Sequence, residues 1–381
     1  MANLSSTHRV QETRRAEGKA FAINDTSKWY MEKAGLRVLM SLILFAHPVS
    51  ATTHSFLTAD PDASIATRTV FNYFANLNRN SDLNRMVVGQ LAAFMNRSDN
   101  FAKWGTIVGR YPGLYHWEAR WDYGSIGFDR YVDLSVEAWR AGSLVTIGWS
   151  DKTPPIPVTT IADCDVENPD RNQAAFNIFW NEWVSELVRY LRALDHKGVV
   201  VLLRPLHEPE GRAWISAGKS SFRNVWKQIF LRITVVENLH NVLFVLGLDS
   251  TNDADYFPDP VFVDIVGTSE YVNPPYGEKD FKLLNFLHSS SPYIGKPIAI
   301  CETGSVKNSG VRADAAQYLA AIKRFAPFVC YLSWWHENPE NEYQWAFYQS
   351  ENAAEMLSDP WVITRETLDI PLFLKHSRSQ K

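Results

Sequence analysis

Two glutamates close apolar runs: Glu208 follows residues 199–206 and Glu302 follows residues 297–301. A carboxylate beside an apolar run is costly unless it has a partner or a task. A pair of such groups suits one chemistry in particular. One carboxyl protonates a leaving oxygen while the other attacks or activates water, which is the requirement of glycoside hydrolysis. Arg204 offers the bland alternative, a structural ion pair with either glutamate taken alone. Other chemistries lack their residues. His207-Glu208 does not open a zinc-binding HExxH, because Gly211 stands where the second histidine is needed. There is no Gly-x-Ser-x-Gly elbow for an α/β-hydrolase, no HxH on the first strand, and no GxGxxG after it.

The chain is also rich in tryptophan, with 14 in 381 residues. Trp180 and Trp183 recur with Phe176, Leu187 and Leu194 at helical spacing and read as core. Trp149, Trp214 and Trp334, with Trp117 and Trp121 as weaker candidates, fall at or just beyond strand ends. Flat indole faces there suit stacking on sugar rings.

Elements must bring these residues together. Eight short apolar runs have strand character: 86–90, 113–117, 144–149, 199–206, 242–246, 263–267, 297–301 and 328–334. Near-continuous apolarity suits strands buried on both faces, as in parallel sheets. Amphipathic helices are expected over 66–78, 176–194, 222–237 and 312–325, the last opened by Asp314 and closed by Lys323 and Arg324. This alternation predicts an α/β fold, a (β/α)₈ TIM barrel, with a doubly wound open sheet as the rival. In a barrel the chemistry lies at the C-terminal strand ends. Strands 4 and 7 then bring Glu208 and Glu302 to face each other across the mouth. The long polar stretch 151–172 is expected to form a wall on the strand-3 side.

These residues carry a resemblance. Arg204-Pro-Leu-His-Glu-Pro-Glu-Gly211, with Trp214 close behind, resembles the acid/base signature of glycoside hydrolase family 26, a clan-A barrel family rich in β-mannanases. The segments 86–90, 263–267 with Tyr271, 296–304, 331–334 and 359–363 resemble its other strands and its C-terminal end, in order, over roughly residues 66–368. The resemblance implies Glu208 as general acid/base and Glu302 as nucleophile of a retaining mechanism. It implies Arg204 beneath Glu302, Tyr271 donating to it, and His207 where most clan members have Asn. It also implies Trp334 as a sugar platform with Trp214 as a further contact, and Trp149 ends strand 3. No metal or cofactor is implied. The substrate is a β-glycan, first a β-1,4-mannan, with mixed-linkage β-glucan and β-1,3-xylan open, and a carbohydrate-binding pseudoenzyme as the alternative class. The chain departs from the family where Ser150 follows Trp149, at Pro209-Glu210, and at Ile215-Ser-Ala-Gly218. Family members contact sugar at those positions. On strand 2, Trp117, Glu118, Arg120, Trp121 and Asp122 read equally as core with an ion pair or as cleft.

The remaining chain sets bounds. Residues 31–51 carry a basic start, an apolar run at 38–46 and a small-x-small end, the pattern of a secretory signal read from Met31. The apolar run is shorter than the ~20 residues a spanning helix needs, so no stable membrane insertion is expected. The reading is a leader over 1–51 and one catalytic domain over 52–381, secreted and monomeric. A net charge of −4 gives no footprint for nucleic acid. Three cysteines, Cys164, Cys301 and Cys330, cannot form a disulfide scaffold and read as buried thiols.

Overall fold

The computed structural model describes residues 57–77, 85–93, 104–106, 108–119, 128–149, 156–249, 254–306, 309–335 and 346–370. The leader, residues 120–127 with Arg120, Trp121 and Asp122, and Ser150, Asp151, His336 and Glu337 lie outside them.

Eight strands follow one another around a ring: β1 (Met86–Ala93), β2 (Leu114–Ala119), β3 (Leu144–Trp149), β4 (Val201–Pro205), β5 (Val242–Leu248), β6 (Ile265–Tyr271), β7 (Ile298–Gly304) and β8 (Val329–Trp334). Each is parallel to the next, and β1 pairs with both β2 and β8, so the sheet closes. Closure removes the open-sheet rival. A short β9 (Val362–Ile363) adds to the start of β1, before β2 joins at Gly89. The strands are apolar and buried along nearly their whole length, as sheets covered on both faces require.

Helices fill the outer layer where the apolar periodicity places them. α1 (Ile65–Leu77) packs on β5 and β8, which are not neighbours in the ring, and so crosses the N-terminal end of the barrel. Phe74 on this helix meets the Tyr331 ring from below at 5.5 Å. α2 (Phe128–Arg140) follows β2. The expected helix at 176–194 is α3 (Gln173–Ile178) and α4 (Ser185–Asp195), joined through a wider π turn at Phe179–Val184. Trp180 and Trp183 are buried there as core, and the Trp180 indole donates to the Cys164 carbonyl at 2.8 Å. After α5 (Ala213–Ser216), α6 (Lys219–Leu231) passes into another π turn at Arg232–Val236. α7 (Lys282–Ser289) and α8 (Ala315–Phe325) follow β6 and β7. Asp314 caps α8 by accepting from the Gln317 N–H at 3.0 Å, a contact worth about 1 kcal/mol.

One further expectation needs refinement and one holds. The polar stretch after strand 3 is compact over its described part: its turn at Ile161–Cys164 packs on α6, with Ile161 and Asp163 buried. The three cysteines are buried and free, as read.

Candidate active site

The strand period of two decides which side chains enter the barrel. On β2, His116 and Glu118 point inward, while Trp117 points outward. The Trp117 indole stacks on Tyr131 of α2 at 4.9 Å and donates to Ser135 at 2.9 Å. Trp117 is therefore core, not cleft. On β7 the period breaks at a useful place. Thr268 of β6 faces Ile300 but Ser269 faces Glu302, so Cys301 is an extra residue. The same slip appears against β8, between Ile300 and Thr303. Such a bulge re-aims a side chain, and here it delivers Glu302 to the interior at the C-terminal end of the strand.

Glu302 is gripped on both oxygens. Arg204 Nη2 lies 2.8 Å from Oε1, and the Tyr271 hydroxyl donates to Oε2 at 2.8 Å. Arg204 also donates to the Cys301 carbonyl at 3.3 Å. Gly247 on β5 leaves the room this guanidinium needs: a Cβ there would stand 3.2 Å from Arg204 Nε. Burial opposes the charge on Arg204, but Glu302, together with Cys301, Glu118 and Tyr331, outweighs it and holds the guanidinium charged, above its ordinary pKa. Burial lifts the Glu302 carboxyl to about 7; Arg204 pulls it down, while Glu208 and Glu118 push it up. Tyr271 is raised well above 10 by burial and by the two glutamates, so it stays a neutral donor.

Glu208 reaches the mouth through a turn that ordinary residues avoid. Leu206 and Glu208 have φ of 51° and 54°, in the left-handed region. Each such non-glycine residue costs on the order of 1–3 kcal/mol and persists only where its surroundings impose it. Here the Leu206 N–H donates to the Trp149 carbonyl at 2.7 Å, and the Glu208 N–H to the Gly247 carbonyl at 2.9 Å. The Glu208 side chain is 21% exposed, against 3% for Glu302. The more open carboxyl therefore faces the cleft and the buried one stands at its floor.

A polar chain supports both. Arg212 donates to Glu208 Oε2 at 3.3 Å, and its Nη2 lies 2.9 Å from His207 Nε2. An arginine only donates, so His207 Nε2 accepts and the ring is neutral. The same nitrogen lies 3.5 Å from Glu118 and 3.8 Å from Glu302. His116 is 3.0 Å from Glu118 and 2.8 Å from Ser333 Oγ. Burial, reinforced by Arg204, lowers His116 to about 3 and keeps it neutral. With Glu118 as a carboxylate, His116 donates from Nε2 and accepts from Ser333 at Nδ1. His116, Glu118 and Glu302 also bring ligand-type atoms within 4.8 Å of one another. A divalent cation placed there would meet the buried Arg204 charge, so the arrangement favours the ion pair and the hydrogen-bond chain.

Arg204, His207, Glu208, Tyr271 and Glu302 thus come together as the sequence led us to expect. The three tryptophans do not join them. Trp334 is 1% exposed and packs edge-on against Tyr318 of α8 and Phe347, at 6.0 and 5.2 Å. The reason is the strand period: Ser333 points in, so Trp334 points out. Trp149 is turned outward in the same way and meets Phe179 at 5.9 Å, because inward-facing Gly148 precedes it. Trp214 is buried within α5. The half-buried aromatic at the mouth is the next residue, Trp335, whose ring lies edge to face with Tyr271 at 6.2 Å. Strand parity counted from Ser333 would have picked it out. Gln90 had no such signal, since most of its partners come from distant parts of the chain; Arg212, which meets Glu208 and His207 four and five residues before it, lay within reach of a local reading.

A buried carboxylate held by an arginine and a tyrosine, with a second glutamate on the facing side of a (β/α)₈ mouth, defines a glycoside hydrolase. The chain belongs to Glycosyl hydrolase family 26, which it matches over residues 59–367. It is 24% identical to mannan endo-1,4-beta-mannosidase A and B of Caldalkalibacillus mannanilyticus, over 84% of this chain and 65% of that protein, so it spans about two thirds of that relative's length. It is 24% identical to a mannan endo-1,4-beta-mannosidase of Bacillus subtilis, over 87% of this chain and 94% of that one. The fold is shared with a solved Bacillus subtilis mannanase, at a TM-score of 0.66, 21% identity, and coverage of 82% of this chain and 96% of that one. A Podospora anserina β-(1,4)-mannanase gives 0.64 at 19% identity, covering 85% and 71%. Among the described residues no helix is long and apolar enough to cross a membrane.

Proposed function

We propose that this protein is a retaining endo-β-1,4-mannanase, with Glu302 as nucleophile and Glu208 as general acid/base. The observation that carries the reading is the double grip on Glu302, by Arg204 and by Tyr271, with Glu208 at the facing strand end. Arg204 keeps negative charge on the nucleophile. Tyr271 leaves one lone pair of Oε2 satisfied and aims the carboxylate. In the first step Glu302 attacks the anomeric carbon while Glu208 passes its proton to the leaving oxygen. In the second step Glu208, now a carboxylate, takes a proton from water, which displaces Glu302 from the sugar. Trp335 takes the platform role that the sequence had given to Trp334. The relatives named as mannan endo-1,4-beta-mannosidases support mannan as the polymer. No metal or cofactor enters these steps.

The test is a panel of β-mannan, galactomannan, lichenan and β-1,3-xylan with products sized. Mannan cleavage to oligosaccharides, lost in both Glu208→Ala and Glu302→Ala while the fold survives, is the expected result. Near-normal activity in either variant overturns the assignment. A 2-fluoro-mannoside that binds without labelling Glu302 would make the protein a binder.

We also read residues 31–51 as an export leader and 52–381 as one catalytic domain that acts outside the cytoplasm as a monomer. Peptides from residues 1–30 on the secreted protein would contradict this.

A further inference from the structure

Gln90 ends its run on β1 fully buried and uncharged, and its carboxamide makes contacts the barrel ladder does not need. Its Oε1 accepts from the Phe347 N–H at 3.1 Å. Its Nε2 faces three carbonyls: Leu91 at 3.1 Å, Trp334 at 3.2 Å and Trp335 at 2.6 Å. A carboxamide nitrogen has two hydrogens, so three acceptors share them, and Trp335 takes the shortest contact. The orientation fixes itself. Flipped, the oxygen would face three carbonyls and the nitrogen would face an N–H.

The consequence falls on Trp335. Its N–H donates to the Thr303 carbonyl of β7 at 2.7 Å, and its carbonyl is held by Gln90 of β1. The peptide units on both sides of this residue are therefore fixed, by two strands that flank β8. The same Gln90 holds Phe347, whose ring Trp104 stacks at 4.2 Å. With its backbone fixed on both sides, the Trp335 indole stands against Tyr271, and Tyr271 donates to Glu302 Oε2. No shorter side chain reaches all four groups. Glutamate would set a second oxygen against three carbonyls, and methionine would fill the space and donate nothing.

We propose that Gln90 is a positioning residue for the hydrolytic reaction: through the Trp335 carbonyl it seats the indole against Tyr271 and so sets how Tyr271 holds Glu302. The inference rests on the reading of Glu302 as nucleophile. Gln90 touches neither reacting atoms nor substrate, and its effect travels along Gln90, Trp335, Tyr271 and Glu302. Nucleophile orientation is sensitive to displacement, so a shift of under an ångström is felt in kcat.

The test uses Gln90→Met, Tyr271→Phe and the double variant in the full chain, with β-mannan kinetics, thermal unfolding and tryptophan emission. The expected result is a loss of about 10–100-fold in kcat for Gln90→Met with KM within about threefold. The double variant falls no further than the weaker single, within about threefold, because both act on one contact. Multiplying losses, or a fall in melting temperature with kcat unchanged, overturns the inference. Emission gives a readout that does not depend on turnover. Gln90→Met shifts the spectrum, and the shift disappears in a Trp335→Phe background; a shift that persists there overturns the inference. A wild type without mannan cleavage refutes the proposed activity, and the emission series still decides the seating of Trp335. If Gln90→Met does not fold, Gln90→Asn, which keeps a carboxamide one methylene too short to reach the Trp335 carbonyl, carries the same measurements.

Discussion

The Glu118 carboxylate occupies the space that a Cβ on Gly148 would take. The two residues face each other in register on β2 and β3, and only a missing side chain on one lets the other enter the barrel. Gly148→Ala must therefore push Glu118 aside, away from His116 and from the side of His207. Overpacking of this kind costs on the order of 1–3 kcal/mol. The site should suffer more than the fold: we expect kcat to fall at least about tenfold while the protein still unfolds cooperatively. Steady-state kinetics beside urea unfolding check this. Wild-type kcat in Gly148→Ala would mean that Glu118 has no bearing on the site.

The Glu302 carboxyl, lifted to about 7 by burial, predicts a pH profile. Only the ionised form attacks, so kcat/KM on an aryl mannoside should fall about tenfold per pH unit below that value. Arg204 opposes the lift. Arg204→Met therefore moves the acid limb to higher pH, and it leaves a buried carboxyl without its cation, at a cost of about 3–5 kcal/mol. A limb that stays in place in Arg204→Met would show that another group sets it.

How much of this was readable beforehand follows from what each feature depends on. Strand order and barrel closure rest on apolar runs and their alternation with helices, which are local in sequence. Glu208 and Glu302 rest on charge placed against an apolar run, which is also local. The indole directions rest on strand parity, and Ser333 beside Trp334 held the information, but stacking chemistry drew attention to the wrong ring. The bulge at Cys301 leaves no local mark, since Cys301 and Glu302 look like any two consecutive strand residues. The role of Gln90 depends on backbone groups from other strands and turns, which no single segment displays.

The two neighbouring indoles make opposite predictions. Trp334 sits between Tyr318 and Phe347 in the outer layer, so Trp334→Ala should cost roughly 3–5 kcal/mol of stability by opening a cavity. Trp335 is half-buried beside Tyr271, so Trp335→Ala should cost activity, about 10–100-fold in kcat/KM, with a smaller loss of stability. Thermal unfolding and mannan kinetics on both variants separate the two. A reversed pattern would return the platform to Trp334.

Glu210, two residues beyond the acid/base, lies beside Asp249 at the end of β5, and the Asp249 N–H donates to Glu210 Oε2 at 3.4 Å. Burial first, then the neighbouring Asp249 carboxylate, raise the Glu210 carboxyl from 4.5 to about 9. A raised carboxyl keeps its proton in the folded chain over a range where the unfolded chain has lost it. Its stabilising contribution is therefore complete below 4.5 and is lost as the pH rises through about 9. Glu210→Gln keeps a donor toward Asp249 and has no proton to lose. Its melting temperature should match the wild type near pH 5 and exceed it progressively toward pH 9, by about 2–4 °C or more for a domain of this size. Other raised carboxyls, Glu302, Glu270, Asp264 and Asp60, tilt both curves alike, so the difference between them isolates Glu210. Parallel curves from pH 5 to pH 9 would mean that the Glu210 carboxyl is not raised in the folded chain.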